Sequence, residues 1–190
     1  YIAIETDITH EKEAEERLGR SGQLLSAVAD ANRIGIWQWN VTTDAFEVND
    51  TWIELVGYTC AELGEITFQT WERLTHPDDL AHCQQCLHRH FSGELDYYDE
   101  DIRMRHKAGH WVWINTRGNL VSRLENGAPG LMLGTHIDIT ERRELEQRLA
   151  AEQRLLSQIL KTNVSAITVL DEHGTIVFAN DAASRILSPD

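Results

Sequence analysis

The sequence predicts an α+β fold built around one antiparallel sheet, and two observations support this prediction. Between residues 31 and 140, two strand-like segments are followed by helical segments and then by three more strand-like segments, an order typical of α+β domains. The 190-residue chain also repeats itself at a fixed offset, and a repeat of this length corresponds to a whole domain.

The internal repeat defines the organisation of the chain. Asp7-Ile8-Thr9 recurs 131 residues later as Asp138-Ile139-Thr140. Without a gap, the same offset aligns Leu18 with Leu149, Leu25 with Leu156, Ile36 with Ile167 and Asn49 with Asn180. We therefore predict the last strand of a preceding domain over 1–9, a connector helix over 10–30, a complete domain over 31–140, a second connector helix over 141–162, and the first hairpin and helix of a following domain over 163–190.

Both connector helices carry apolar residues at heptad spacing. Leu18, Leu25, Leu149 and Leu156 belong to series that step by four and three residues, as the a and d positions of a coiled coil do. We predict that these leucines form the seam of a parallel two-stranded coiled coil and hence of a homodimer. The alternative is that each helix lies with its apolar face on its own domain.

Local signals place the elements of the complete domain. Asn49 is expected to cap a short helix that Gly57 ends, and His76-Pro77 is expected to begin a longer one. The predicted helices cover 50–56, 68–74 and 77–91. The predicted strands are 36–41, 45–48, 101–105, 111–114 and 131–137.

Five segments, taken in order, carry a family resemblance. They are Gly35-Ile36-Trp37-Gln38-Trp39, Leu55-Val56-Gly57-Tyr58, His76-Pro77-Asp78-Asp79, the strand ending in Trp113, and Asp138-Ile139-Thr140. Together they resemble the PAS domain family, in its Trp-rich subclass, over residues 31–140, with partial domains at both ends. The resemblance implies a five-stranded antiparallel sheet with helices on one face, often around a small-molecule pocket. It also implies tandem arrays that regulate a sensor histidine kinase or a cyclic-di-GMP enzyme.

Charge and composition exclude several partners. A formal net charge of -14 disfavours nucleic acid and anionic membrane surfaces, which both need a basic face. No apolar run approaches the ~20 residues of a membrane span. The odd count of 3 Cys fits reduced thiols better than a disulfide framework. We therefore expect a cytoplasmic location without direct membrane contact, which is compatible with a membrane anchor elsewhere in the parent protein.

The cysteines of the long helix invite a metal interpretation. Cys83 and Cys86 form a C-x-x-C next to His82, but no second Cys pair follows at zinc-site spacing. On a helix, both thiols share a face with Leu87, and buried Cys behaves as a small hydrophobe. We predict core packing and no metal site, with metal or redox chemistry as the alternative.

The resemblance also raises cofactors and catalysis. Haem-binding PAS domains take an axial His from this helix, which makes His90 the candidate ligand, and non-covalent flavin is the other alternative. The reactive Asn-Cys-Arg-Phe-Leu-Gln stretch of light-sensing relatives is absent. We expect no cofactor. His10 is not followed by the continuation typical of a phosphoacceptor, and no nucleotide-binding glycine motif occurs, so we predict no catalytic residue and no enzyme activity.

The remaining candidates concern ligand binding and transmission. The predicted ligand-pocket residues are Trp37, Trp39, Asn49, Trp52, His90 and Trp113. For the tryptophans, core packing is the better interpretation, and Asn49 is expected to cap a helix whether or not it also contacts a ligand. Asp138 and Thr140 join the last strand to the second connector, where we expect Thr140 to cap the helix and Asp138 to accept a further bond. We predict a module that passes a ligand- or partner-induced change through coiled-coil connectors to neighbouring PAS and effector domains. The alternatives are a ligand-free dimerisation and spacer module, favoured by the bulky core, and a metal or redox sensor.

Overall fold

The computed structural model describes residue 20 and residues 22–162 and 165–187. It contains two compact units, Tyr1–Thr140 and Glu141–Asp190. The predicted strand over 1–9 and the seam residue Leu18 lie outside the described residues.

The first unit confirms the predicted α+β class. Its strands are β1 (Ile34–Asn40), β2 (Phe46–Val48), β3 (Tyr98–Arg105), β4 (Trp111–Arg123) and β5 (Pro129–Asp138). Its described helices are α1 (22–31), α2 (Asp50–Leu55), α3 (Cys60–Leu63), α4 (Phe68–Leu74) and α5 (Pro77–Phe91). The strands form one antiparallel sheet in the order β2-β1-β5-β4-β3.

One face of the sheet is buried and the other is open. Along β1, Trp37 and Trp39 are buried while Ile36 between them is exposed, as the period of a strand requires. Strand β4 is nine residues longer than the predicted 111–114, because the polar residues of its open face alternate with a continuing buried row up to Gly118. Side chains from α2, α4 and α5 pack on the buried face and complete the core.

Two glycines allow the Trp37 indole to lie against the sheet. Gly118 of β4 and Gly134 of β5 are paired, and Gly134 also faces Trp37 of β1. A Cβ added at Gly134 would stand 2.2 Å from the Trp37 ring, and one added at Gly118 would stand 2.4 Å from it. The two strands therefore need glycine here because an aromatic ring occupies the space of a side chain.

Helix α5 is fixed to β3 at its N-terminal end. His76 caps the helix by accepting the Asp78 N–H at its Nδ1, and Pro77 occupies the first turn. Asp79 accepts two hydrogen bonds from the Arg103 guanidinium, at 2.9 and 2.6 Å, and a third from the Arg103 backbone N–H. This bidentate pair sets the position of the helix that carries the Cys/His cluster.

The second unit repeats the opening of the first. It consists of α6 (Thr140–Thr162, beginning at the last residue of the first unit), β6 (Thr168–Leu170), β7 (Ile176–Ala179) and α7 (Asp181–Leu187). Asn180 Oδ1 accepts from the N–H groups of Ile167 and Ala183, and its Nδ2 donates to the Ser165 carbonyl. Asn49 of the first unit makes the same three bonds, to residues that each stand 131 positions before the partners of Asn180. The sequence repeat is therefore also a repeat of hydrogen bonds.

Candidate functional site

A small cavity lies between the buried face of the sheet and helices α4 and α5. The space inside it that is open to the centre of a water molecule is about 20 Å³, which suffices for roughly one water. Aromatic rings form most of its wall, and two polar groups, Thr116 and His136, face it from β4 and β5. The other lining residues are Trp37, Trp39, Phe46, Phe68, Trp71, Leu87, Tyr98 and Met132.

The structure brings only two of the six predicted pocket residues to this cavity. Trp37 and Trp39 line it, and the remaining four do not. Trp52 is fully buried behind the wall, where its indole stacks on the imidazole of His136 at 5.7 Å. Of the six residues, the structure therefore places at the cavity only the two tryptophans of the first strand, and ligand binding by them stays a prediction.

Asn49 has a structural role that engages both ends of its side-chain amide. Its Oδ1 accepts from the Trp52 and Ile36 N–H groups, at 3.1 and 2.7 Å, and its Nδ2 donates to the Ile34 carbonyl. The side chain thus caps α2 and ties that helix to β1. The capping prediction is confirmed, and the alternative of a ligand contact is not supported by this position.

His90 is also held by the fold. Its Nδ1 lies 2.9 Å from the Leu95 carbonyl oxygen, so this nitrogen carries the proton and donates. Its Nε2 accepts from the Leu120 N–H at 3.0 Å. An axial bond to haem iron would require one of these contacts to break, and a pocket for haem or flavin needs on the order of 300 Å³ or more. The residues present do not fit either cofactor.

Trp113 lies on the open face of the sheet, which corrects its assignment to the pocket. The buried residues of this segment are Val112 and Ile114, and the Arg103 guanidinium stands 5.5 Å from the Trp113 ring centre. Alternation could not reveal this, because all four residues from Trp111 to Ile114 are apolar. Only the register with β3 and β5 decides which pair faces inward.

His136 is the polar residue that the sequence interpretation missed. It is fully buried on β5, with its imidazole 5.7 Å from the Trp52 ring and 6.1 Å from the Trp37 ring. Burial lowers the pKa of this imidazole to about 3, so the ring is neutral at physiological pH. The Nε1–H groups of both tryptophans are buried without a hydrogen-bond partner within the described part of the chain.

A signal for His136 was present in the sequence. It stands two residues after Gly134 and four after Met132, on the same face of a strand, so period-2 counting from the glycine would have placed it inside. The other missed lining residues, such as Phe46 and Trp71, are ordinary core aromatics whose convergence depends on the packing of separate elements.

The joint between β5 and α6 differs in one respect from its prediction. Asp138 Oδ1 accepts from the Thr140 N–H at 2.8 Å, which is the expected kind of bond. Thr140, however, is the first residue of α6, and its Oγ1 accepts from the Trp113 N–H of β4 at 2.9 Å instead of capping the helix. The hydroxyl continues the β4–β5 ladder, next to the bond from the Ile139 N–H to the Trp113 carbonyl.

The two cysteines of α5 are buried, as the packing prediction requires. Burial raises the pKa of the Cys83 thiol. Burial and then a hydrogen bond with Glu100 raise the pKa of the Cys86 thiol to about 11. Both are therefore protonated at neutral pH, and Cys60 is the one exposed thiol of this chain.

The described seam leucines are exposed. The exposed fraction is 66% for Leu25, 57% for Leu149 and 60% for Leu156. Leu145 and Ile159 of α6 are more than half exposed as well. Within the described residues, no helix combines the length and the apolar character that crossing a membrane requires.

Comparison with protein families identifies both units. The family described as PAS fold matches residues 45–136. The family described as PAS domain matches residues 164–190. At the repeat offset of 131 residues, the second matched region corresponds to residues 33–59, the opening of the predicted complete domain.

Curated relatives are signalling proteins. The chain is 27% identical over 153 residues to the sensor protein FixL of Bradyrhizobium diazoefficiens, which covers 80% of this chain and 30% of that protein. It is 24% identical over 188 residues to the probable diguanylate cyclase DgcE of Escherichia coli, covering 98% of this chain and 16% of that protein. The chain thus spans less than a third of the length of these relatives.

Solved structures agree on the fold. A sensory box histidine kinase/response regulator from Burkholderia thailandensis is 29% identical with a TM-score of 0.61, covering 70% of this chain and 98% of the other. The N-terminal domain of a diguanylate cyclase with PAS/PAC sensor from Marinobacter aquaeolei is 25% identical with a TM-score of 0.50, covering 58% and 98%.

Proposed function

We propose that this chain, which belongs to the PAS domain family, is a sensory module of a signalling protein. In this proposal residues 31–140 are one complete sensor domain, which passes a ligand- or partner-induced change into the helix that follows it. Residues 163–190 would then begin a second such domain. Residues 10–30 and 141–162 would be the connectors.

One observation carries this proposal: strand β5 bears both the cavity wall and the output joint. His136 lines the cavity, and Asp138, two residues later, holds the Thr140 N–H. A displacement of His136 along or across the strand is therefore felt within two residues by the bond that orients the start of α6. Thr140 in turn holds the Trp113 N–H of β4, so two strands share the joint.

The chemistry of the cavity indicates what it could bind. The imidazole is neutral and its surroundings are apolar, so a charged ligand would lose its hydration without a counter-charge. The Trp37 indole N–H, which lines the cavity and is buried without a hydrogen-bond partner within the described residues, offers a donor. We propose a small uncharged molecule with a hydrogen-bond acceptor, and any ligand larger than a water would have to displace aromatic side chains.

The output we propose is a change in a parallel dimer of α6 helices. The exposed leucines of α6 stand at coiled-coil spacing, and a second copy of this helix would cover them. The effector of the parent protein would be a histidine kinase or a cyclic-di-GMP enzyme, since both kinds of protein occur among the relatives.

A ligand-free dimerisation and spacer module is the second candidate. The observation that favours it is the cavity volume, which leaves room for about one water in a core filled by aromatic rings. In that case a partner domain, and not a small molecule, would supply the input.

A binding experiment separates the two candidates. The purified chain is compared by native and denaturing mass spectrometry, and its thermal midpoint is measured with small neutral amides as probes. A bound or stabilising neutral molecule, lost in His136→Phe but retained in His88→Phe on the exposed side of α5, supports the sensor of a ligand. No adduct and no shift with any probe would contradict it and favour the spacer.

A further inference from the structure

Three potential metal ligands converge where α5 crosses the edge strand β3. His82 and Cys86 are four residues apart on α5, so they lie one turn from each other on one side of the helix. Glu100 of β3 faces them: its Oε2 is 3.1 Å from His82 Nε2, and that nitrogen is 3.6 Å from Cys86 Sγ. All three ligand atoms lie within 4.8 Å of one another.

These distances match a coordination polyhedron. Zinc bonds of about 2.0–2.3 Å to nitrogen, oxygen and sulfur place the ligand atoms of a tetrahedral site roughly 3.4–3.6 Å apart. The nitrogen–sulfur separation of 3.6 Å lies within that range, and the nitrogen–oxygen separation of 3.1 Å is a few tenths of an ångström shorter. The third pair, Glu100 Oε2 and Cys86 Sγ, lies within 4.8 Å.

The environment of the cluster also suits a divalent cation. Cys86 is 3% exposed and the Glu100 side chain 19%, whereas the His82 side chain is 64% exposed. The site is thus walled by protein on one side and open to solvent at His82, which gives an ion an entry path and leaves a fourth position for water. A thiolate and a carboxylate together neutralise two positive charges, as a partly buried site requires.

We propose that His82, Cys86 and Glu100 form a three-ligand site for a borderline-soft divalent ion of the Zn²⁺ class, with water as the fourth ligand. On binding, the Cys86 thiol loses its proton to solvent and the sulfur bonds to the metal, while His82 binds as neutral imidazole through Nε2 and Glu100 as carboxylate. A mixed S, N and O donor set selects this class over Mg²⁺ and Ca²⁺, which prefer oxygen ligands alone.

Such an ion would act on the structure that surrounds the cavity. Leu87 follows Cys86 directly and Tyr98 lies two residues before Glu100, and both line the cavity. Metal binding would therefore fix α5 to β3 beside the cavity wall, one to two helical turns after the Asp79–Arg103 pair. The site stands independently of any ligand in the cavity.

The test uses the whole chain after treatment with a chelator. Zn²⁺ is titrated in competition with a chromophoric chelator, and Co²⁺ is added separately to look for the sulfur-to-cobalt charge-transfer band that a thiolate ligand produces. We expect one ion per chain and a charge-transfer band. His82→Ala and Glu100→Gln should each weaken Zn²⁺ binding by roughly tenfold or more, because even residues supporting a metal ligand contribute 10–100-fold.

Matched controls isolate the cluster. His88→Ala removes another exposed histidine of α5, and Cys60→Ser removes the exposed thiol, so neither should change the affinity. Cys86→Ser should abolish the cobalt band. Because Cys86 is buried and its replacement could impair folding, the decisive variant is His82→Ala, at an exposed position. Absence of stoichiometric binding, or binding unchanged in His82→Ala and Glu100→Gln, would overturn the proposal, as would a loss of binding in either control.

Discussion

At the scale of single residues, His136 connects the chemistry of the core with the joint that follows it. Its imidazole is enclosed by indole rings and is therefore held neutral, while Asp138 stands two residues further along the same strand, at the start of the joint. Protonation of this buried imidazole destabilises the folded state but not the unfolded chain, in which the ring is exposed to water. The pH dependence of stability therefore reports on its burial.

The titration of His136 gives a testable pH dependence. Its pKa falls from 6.5 in the unfolded chain to about 3 in the fold, so between these values the unfolded state binds more protons. The stabilisation is fully present above pH 6.5 and is lost as the pH falls towards 3, at up to about 1.4 kcal/mol per pH unit. The free energy of unfolding is measured by denaturant titration from pH 7 to pH 4.

Two variants isolate this contribution from that of the carboxylates. His136→Phe should show a shallower decline of the free energy of unfolding than the parent chain, since it cannot be protonated. His88→Phe, on the exposed side of α5, should decline as the parent does. Equal slopes for the parent and His136→Phe would show that this imidazole does not titrate as a buried group.

At the scale of elements, the close contact of three strands under the Trp37 indole explains the two glycines of β4 and β5. The ring occupies the volume in which side chains of both strands would stand, so the strands and the aromatic wall of the cavity are fixed together. This contact is also what the sequence could have disclosed, since glycine in the middle of a strand marks a close approach.

Gly134→Ala tests that contact. The added methyl group would stand 2.2 Å from the Trp37 ring and 2.3 Å from the backbone oxygen of Arg117, which has no freedom to retreat. We expect a loss of about 1–3 kcal/mol in the free energy of unfolding, together with altered Trp fluorescence. Gly22→Ala, whose methyl group meets nothing within 4 Å, is the control and should be neutral or slightly stabilising. A Gly134→Ala protein with the parent's free energy of unfolding and unchanged Trp fluorescence would refute the packing described here.

The helix α6 makes a separate prediction about assembly. Leu149→Lys together with Leu156→Lys places two charges on the proposed seam and should give a folded monomer by analytical ultracentrifugation. Gln147→Lys with Ala151→Lys adds the same charge on the opposite side of the helix and should leave the parent's dimer intact. If the seam variant keeps the mass of the control, any dimer uses another surface.

At the scale of the whole molecule, hydrogen bonds between residues close in the chain could be predicted from the sequence. Sites formed by residues from several separate elements could not. Asn49 and Asn180 were predictable because a cap bonds to its immediate neighbours, and the structure repeats those bonds in both units. His90 was not, because its two partners come from Leu95 and from Leu120, thirty residues away on another element. Helix α3 was missed because a single turn carries too little periodicity to recognise.

The cavity and the metal-ligand cluster illustrate the same limit. Their residues come from strands and helices that only the sheet order brings together, so neither could be assembled from spacing along the chain. The joint was half predicted: the Asp138 bond is local, whereas the bond from Trp113 to Thr140 depends on the pairing of β4 with β5.

The most direct test of the sensor account is whether a change at the cavity reaches α6 through the joint. Hydrogen exchange of the backbone amides of residues 141–147 is measured in the parent chain, in His136→Ala, in Asp138→Ala with Thr140→Ala, and in the triple variant, with Trp37→Phe as a milder change of the cavity. We expect the cavity substitutions to alter exchange in α6 when the joint is intact and to have no such effect when it is removed, while the Trp-rich core keeps its protection. A cavity substitution that leaves α6 exchange unchanged, or changes it equally with and without Asp138 and Thr140, would contradict transmission through this joint.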